Sequence, residues 1–395
     1  MNQQTGYVRQ RESGLWEGQY IYQKQKCSIY RPSERQVRDA LTGIIQSIAE
    51  HRYIKPTQHT LVSWMKEWYR LYATKTLRPG TFLSYESIIN RHIAPYFGAT
   101  HLENTSVRQL QEFFNSKLTA GRCDSKPGGL SIKTLKNVKY LLNVTFEQAF
   151  YERLIAFNPV AGVKLPTAEH PEQNVMTTEE KNRLCDYAER IDTMAAKGIL
   201  LLLSCGLRKG ELLALQWHNV DLAENRIFIR KTMGRLKVFD AENSAYDYKR
   251  VDGPASRKNK TGIFLGPVKT AKANRIVYLP DRARQALISL KAIHTRYEEQ
   301  GAFHNLHGFV FCTPQGQPYD PRNFEKDFKA LLNAAGLRTM NPHATRHTFA
   351  TEAMQITTDI VTVSEILGHA KPSTTLDMYS HTFDDRKRAL MAQIK

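Results

Sequence analysis

The stretch NPHATRHTFAT, residues 341–351, followed by LGHAKPSTTLDMYSH, residues 367–381, decides how the rest of the chain is read. His343 and Arg346 stand at i and i+3, on one face of a helical turn, so an imidazole and a guanidinium converge on one point. Gly368 follows Leu367 where a helix would end, because glycine takes the left-handed backbone that closes a helix without a Cβ penalty. His369 comes directly after that turn, and Tyr379 ten residues later. Upstream, GLRKGE (206–211) and PVKT (267–270) contribute Arg208 and Lys269. Each patch alone has an ordinary structural explanation. An arginine at the end of an apolar helix snorkels or pairs with an acid, a lysine beside a strand is a surface charge, and a lone tyrosine is more often packing than nucleophile.

Taken together and in this order, these residues match what phosphodiester cleavage without a metal requires. A phosphoryl group under attack gathers negative charge on its non-bridging oxygens, and planar guanidinium forks bind such oxygens bidentately. Arg208 and Arg346 are the candidates for that task. A tyrosine hydroxyl, with an unperturbed pKa of about 10, is a poor nucleophile until a base or cation helps remove its proton. His343 is the candidate proton acceptor or donor. A flexible ammonium such as Lys269 suits protonation of the leaving 5′ oxygen, and His369 suits a hydrogen bond to the phosphate. Lys258, Lys260 and Lys272 are rivals for the proton donor.

Composition points the same way. The 395 residues carry 56 Lys plus Arg against 38 Asp plus Glu, a net charge of +18. Such an excess favours a polyanion partner through counterion release, although a merely basic protein would show it too. The five cysteines, Cys27, Cys123, Cys185, Cys205 and Cys312, form no CxxC pair, which argues against a disulfide framework and a zinc cluster and for a reducing cytoplasm. The longest apolar stretch, 198–207, is about half the ~20 residues needed to span a bilayer, and the N-terminus MNQQTGYVRQRESG lacks the apolar segment of a secretory signal. No membrane partner is expected.

Two Pro-containing, weakly patterned stretches, 52–60 and 158–174, divide the chain, and a multidomain, mostly α protein with minor β is expected. Residues 1–57 show short alternating runs and then Ser33-Glu34-Arg35-Gln36, a capping-box pattern that starts a helix. Val37, Leu41, Ile44, Ile45 and Ile48 recur at helical spacing, so one stripe can cover one face of a three-stranded sheet. Nine Lys or Arg against five acids in this segment permit DNA contact without requiring it. Residues 58–160 carry four helical stripes: Leu61, Trp64, Met65, Trp68, Leu71 and Tyr72; Phe82, Tyr85, Ile89 and Ile93; Val107, Leu110, Phe113, Phe114 and Leu118; and Ile132, Leu135, Val138, Leu142 and Phe146. Lys133, Lys136 and Lys139 on the last helix are either a solvated face or a DNA contact. Residues 161–174 read as a linker. Residues 175–395 open with Thr177 and Glu180 in a second capping box and read as mixed α/β, with strands at 227–230 and 275–279. Helices are expected at 320–335, 341–354 and 384–394. Residues 231–266 read as a basic, loop-like insertion in which Lys249, Arg250, Arg257, Lys258 and Lys260 either track phosphates or lie on a surface loop.

On Arg208, Lys269, His343, Arg346, His369 and Tyr379 the chain resembles the tyrosine recombinase family of the lambda-integrase type, whose pattern is Arg, Lys, His-x-x-Arg, His or Trp, and Tyr in that order. NPHATRHTFAT and LGHAKPSTTLDMYSH carry the likeness most specifically. It covers the third segment from about Met176. The second segment resembles the family's four-helix core-binding domain, and the first resembles the arm-type DNA-binding domain of integrases from phages and conjugative transposons. The resemblance implies a site-specific recombinase of a mobile element that acts in integration, excision and transposition. Its implied chemistry is attack by Tyr379 to give a 3′-phosphotyrosine and a free 5′ hydroxyl, with neither metal nor ATP as cofactor. It further implies a clamp around double-stranded DNA, passage through a Holliday junction, a tetramer of protomers on DNA with the C-terminal helix docked on a neighbour, and DNA-bending or excision helper proteins. The expected location is the bacterial cytoplasm, with the nucleoid. A type IB-like topoisomerase would use the same chemistry on one duplex, and a non-catalytic DNA-binding regulator would need only the basic surfaces. Glu211 is expected to orient its neighbours rather than react. His343 and His347 at i and i+4 imitate a zinc-binding helix, but Ala344 stands where the catalytic Glu would be. Tyr246, Tyr248 and Tyr319 are alternative nucleophiles that lack a preceding Leu-Gly-His element.

Overall fold

The alternating runs at the N-terminus form a three-stranded antiparallel sheet. In this computed structural model, which describes residues 6–22, 24–50, 53, 59–124, 126–167, 175–242, 244–253, 260–357, 359–379 and 391, strand β2 (Trp16–Tyr22) is central between β1 (Tyr7–Gln10) and β3 (Gln25–Arg31). Ser33 then caps the helix Glu34–Ala49 by accepting from the Gln36 amide. Val37 and Leu41 are buried on the sheet with Tyr20 and Cys27, as the stripe requires, and Ile44 and Ile48 pack at the edge of that cluster. Gly18 lets the helix sit this close, since a Cβ there would stand 2.6 Å from Val37 Cγ1. By contact the chain divides into two compact units, residues 1–72 with 85–168, and residues 73–84 with 169–395.

The helical region follows its four stripes with one correction. The helix Leu61–Trp68 continues into a π-helical turn, Tyr69–Ala73, which adds a residue and shifts the register. Leu71, expected in the buried stripe, is therefore 47% exposed, and Ala73 is fully buried. Helices Val107–Ala120 and Ile132–Tyr151 complete the bundle, pinned by the buried Trp64 indole, which donates to the Thr145 carbonyl at 2.9 Å. Lys133 and Lys136 are exposed, whereas the Lys139 ammonium is used internally, on the Val163 carbonyl at 2.6 Å.

The second unit is organised around the helix Met194–Cys205, which is apolar on every side and buried almost throughout. Helices Thr178–Arg190, Asp281–Glu299, Pro321–Ala334 and His343–Ile356 surround it. Thr177 and Glu180 form the expected capping box. Strands β4 (Val220–Asp221), β5 (Arg226–Ile229) and β9 (Arg275–Tyr278) form a small antiparallel sheet, with Ile227 opposite Val277. No helix among the described residues is long and apolar enough to cross a membrane. Of the helix expected at 384–394, only Met391 lies within the described residues, and Arg257 and Lys258 lie outside them.

Residues 231–266, expected as a loop, instead build a second sheet. Strands β6 (Lys231–Lys237) and β8 (Thr261–Pro267) pair antiparallel along their full length, and β7 (Lys249–Arg250) adds to the other edge of β8. The physical reason is that β8 is buried on both faces. Ile263 and Leu265 join the main core, while Phe264, on the opposite face, closes a smaller cluster with Leu236 and Ala241. A strand buried on both sides shows no polar alternation, and the charged β6 and β7 occupy the edges, where charge blunts unwanted pairing. Phe264→Ala should cost about 3–5 kcal/mol through lost burial and a residual cavity. Hydrogen exchange should accelerate in 231–237 and 261–267 while the helix Met194–Cys205 stays protected.

Candidate active site

Gly206, at φ 61°, ends the helix Met194–Cys205, and its amide donates to the Leu202 carbonyl. A side chain is excluded there twice over, by the left-handed backbone and by the Phe349 ring, 2.4 Å from where a Cβ would stand. Two residues on, Arg208 opens the short helix Lys209–Leu213, and Glu211 lies one turn into it. The Glu211 carboxylate is buried and accepts from the Arg208 amide (3.1 Å), the Arg208 Nη1 (2.6 Å) and the Arg275 Nη2 (3.0 Å). Burial alone would raise its pKa, but Arg275 and then Arg208 hold the carboxyl below its usual range.

A second helix end faces this one. The helix Ile360–Leu367 stops at Gly368, in the left-handed conformation at φ 65°. Three guanidiniums take its last carbonyls in sequence: Arg275 Nε on Ile366 at 2.6 Å, Arg346 Nη2 on Leu367 at 2.5 Å, and Arg208 Nη2 on Gly368 at 3.2 Å. Arg346 also spans to the Gly206 carbonyl with Nη1, at 2.7 Å. Helix C-termini present unpaired carbonyls at the negative end of the helix dipole, so cationic donors are the matching partners. The arginines are thus oriented by backbone rather than by one another.

His369 follows directly and is buried, its Nδ1 2.8 Å from the Thr375 hydroxyl. Thr375 lies on the helix Pro372–Tyr379, whose final residue is Tyr379, one turn further along. Tyr379 thus ends the helix that His369 touches at Thr375, and its side chain lies outside the described residues. His343 opens the helix His343–Ile356, exposed at its outer edge, and its ring meets that of His347 edge-on at 4.7 Å. Its imidazole pKa is pushed down to about 4, first by lost hydration and then by repulsion from His347, Arg346 and Arg208. His369 is lowered to about 4 in the same way, by burial and then by Arg346, Arg208 and Arg275.

Lys269 is exposed two residues beyond β8, on the loop that leads through the turn Ala271–Ala273 into β9. That loop crosses Gly368 closely, since a Cβ on Gly368 would stand 3.0 Å from the Ala273 Cα. Lys260 sits at the opposite end of the seven-residue β8, roughly 23 Å away by strand rise, whereas Lys272 shares the loop of Lys269. The structure thus gathers Arg208, Arg346, His343 and His369 at one place, while Lys269 lies on the loop that passes Gly368 at Ala273 and Tyr379 ends the helix that meets His369 at Thr375. The alternative tyrosines have structural partners: the Tyr319 hydroxyl donates to Asp327, Tyr246 lies under Arg78, and Tyr248 packs over Gly266. Sequence reading missed Arg275 and Thr375. Neither had a local signal, because the partners of Arg275 are supplied from Ile366 and Glu211, far along the chain.

The fold agrees with comparison to known proteins. The model of the phage integrase family matches residues 174–248 and 255–386, and that of the phage integrase N-terminal SAM-like domain matches 60–118. The chain belongs to the phage integrase family. Among its relatives, a XerC-like tyrosine recombinase of Caldanaerobacter subterraneus subsp. tengcongensis is 27% identical over 337 residues, covering 83% of this chain and 81% of that protein. The ICEBs1 integrase of Bacillus subtilis is 22% identical over 316 residues, covering 79% and 77%. The Tn1549 transposon integrase in complex with transposon right end DNA shares the fold at a TM-score of 0.66, with 20% identity over 85% of this chain and 99% of that one. A lambda integrase dimer bound to a core site shares it at 0.55, with 16% identity over 98% and 97%.

Two measurements test the site. Glu211→Gln leaves the buried Arg275 and the partly buried Arg208 without their anion, and should destabilise by about 3–5 kcal/mol and slow cleavage more than it weakens DNA binding. Unchanged melting and unchanged cleavage would remove Glu211 from the arrangement. Because the folded pKa values of His343 and His369 lie below the ordinary 6.5, both rings are neutral at pH 7 in the free protein, and stability falls as pH drops from about 6.5 toward 4. NMR titration should find both midpoints near 4 without DNA, and higher once a duplex brings a phosphate to the rings.

Proposed function

We propose that this protein is a site-specific DNA recombinase of a mobile element, cutting and rejoining strands by transesterification through Tyr379. The observation that carries the reading is the set of guanidinium and imidazole groups fixed around the turn at Gly368, one helix away from that tyrosine. In the proposed step the Tyr379 oxygen bonds to the scissile phosphorus as the bond to the 5′ oxygen breaks. The phenolic proton passes to His343, which is neutral and so able to accept it. Arg208 and Arg346 balance the charge that builds on the non-bridging oxygens. With the Thr375 hydroxyl donating to Nδ1, the His369 Nε2–H is left to bond the phosphate. Lys269 gives its proton to the departing 5′ oxygen. The ester retains the bond energy, so rejoining by another 5′ hydroxyl needs no ATP. No metal is required in this scheme, because the two guanidiniums supply the positive charge.

Double-stranded DNA is the partner, with element ends, target site and Holliday junction as its forms. The lambda integrase described as a tetramer bound to a Holliday junction supports a tetramer of protomers here, and helper proteins that bend DNA fit the same scheme. The location we infer is the bacterial cytoplasm, on the nucleoid. A nicked suicide duplex carrying the element's own end should trap a covalent protein–DNA adduct. Tyr379→Phe should abolish the adduct and leave binding within a few-fold, and EDTA should leave wild-type cleavage unchanged. An adduct formed by Tyr379→Phe would sink the nucleophile assignment, a loss in EDTA would return a metal to the mechanism, and relaxation of one duplex without strand exchange between two would favour a topoisomerase.

A further inference from the structure

Arg78 takes no part in the chemistry above, yet it grips the chain at the point where Lys269 is launched. It belongs to residues 73–84, which fold with the second unit. Its Nη1 donates to the Pro267 carbonyl at 3.2 Å and its Nη2 to the Val268 carbonyl at 3.0 Å, while the guanidinium lies over the Tyr246 ring, 4.5 Å from the centroid. The β6–β8 ladder ends with Lys231 opposite Pro267, so these are the last carbonyl of the strand and the first beyond it. Val268 is buried and Lys269, next in the chain, is exposed.

A lysine ammonium rides on a flexible four-carbon stem, so its aim depends on how firmly its backbone is held. A planar fork spanning two consecutive carbonyls fixes the direction of both peptide planes, which a point-charge ammonium or a single donor does not. Tyr246 holds the fork from its other face through cation–π attraction. We propose that Arg78 is a positioning residue for Lys269, setting the direction from which the ammonium reaches the departing 5′ oxygen. The proposal rests on the reading of Lys269 as proton donor.

The test replaces the departing 5′ oxygen in the nicked element-end duplex by sulfur, which leaves as a thiolate without needing a proton. Full-length Lys269→Ala, Arg78→Ala and Arg78→Lys are compared with the wild type on the oxygen and sulfur substrates, and duplex binding is measured for each. On oxygen, Lys269→Ala should lose about 100-fold or more in adduct formation, and both Arg78 variants about tenfold or more, with binding within a few-fold. On sulfur all three should approach the wild-type rate. If Lys269→Ala recovers on sulfur but the Arg78 variants stay slow, Arg78 acts by another route and the proposal fails while the lysine reading stands. If Lys269→Ala does not recover, the proton-donor reading fails and takes the proposal with it. Full activity of the Arg78 variants on oxygen also overturns it. Should Arg78→Ala not fold, Arg78→Lys, which keeps the charge and loses the fork, decides the matter alone.

Discussion

The site depends on the buried C-terminal end of one helix. At Ile366, Leu367 and Gly368 the chain runs out of amide partners, and three carbonyls are left pointing at the negative pole of a helix dipole. Three arginines from three different parts of the sequence answer them, one carbonyl each. Two consequences follow from that single match. The guanidinium planes are fixed before any substrate arrives, which is what preorganised stabilisation of a developing anion demands. The turn that carries His369, and with it the helix ending at Tyr379, is anchored to the same guanidiniums. Glu211 makes the concentration of cations tolerable, since a buried carboxylate between Arg208 and Arg275 offsets part of their mutual repulsion.

Lost hydration first, and then the repulsion left over after that compensation, act on the imidazoles. His343 and His369 stand among arginines and resist protonation, so the free site holds neutral rings beside fixed positive charge. A phosphodiester would reverse that balance by bringing its own negative charge. The free protein is in this sense poised, with both imidazoles unprotonated until an anion is bound.

Much of this was legible in the sequence. The spacing of His343 and Arg346, the Gly368 helix end and the order of the patches pointed to one site, and the stripes and capping boxes at Ser33 and Thr177 placed helices where they occur. What escaped shares a physical cause. Arg275 is an ordinary arginine at the start of a strand until the fold brings Ile366 and Glu211 to it, and no local pattern carries that information. Leu71 was misplaced because a π-helical turn leaves the 3.6-residue period on which the stripe relies. The sheet at 231–267 was hidden because a strand buried on both faces and flanked by charged edges lacks the alternation that marks a strand.

That inserted sheet is not an independent attachment. Strand β8 lends Ile263 and Leu265 to the body of the second unit while Phe264 serves the smaller cluster on the other side. Natural variation in length should therefore spare β6 and β8 together with Ala241 and Val251, which sit in the two interiors. The strand itself is a shared wall, and descendants of this protein that discard it would have to refill the core on which it leans.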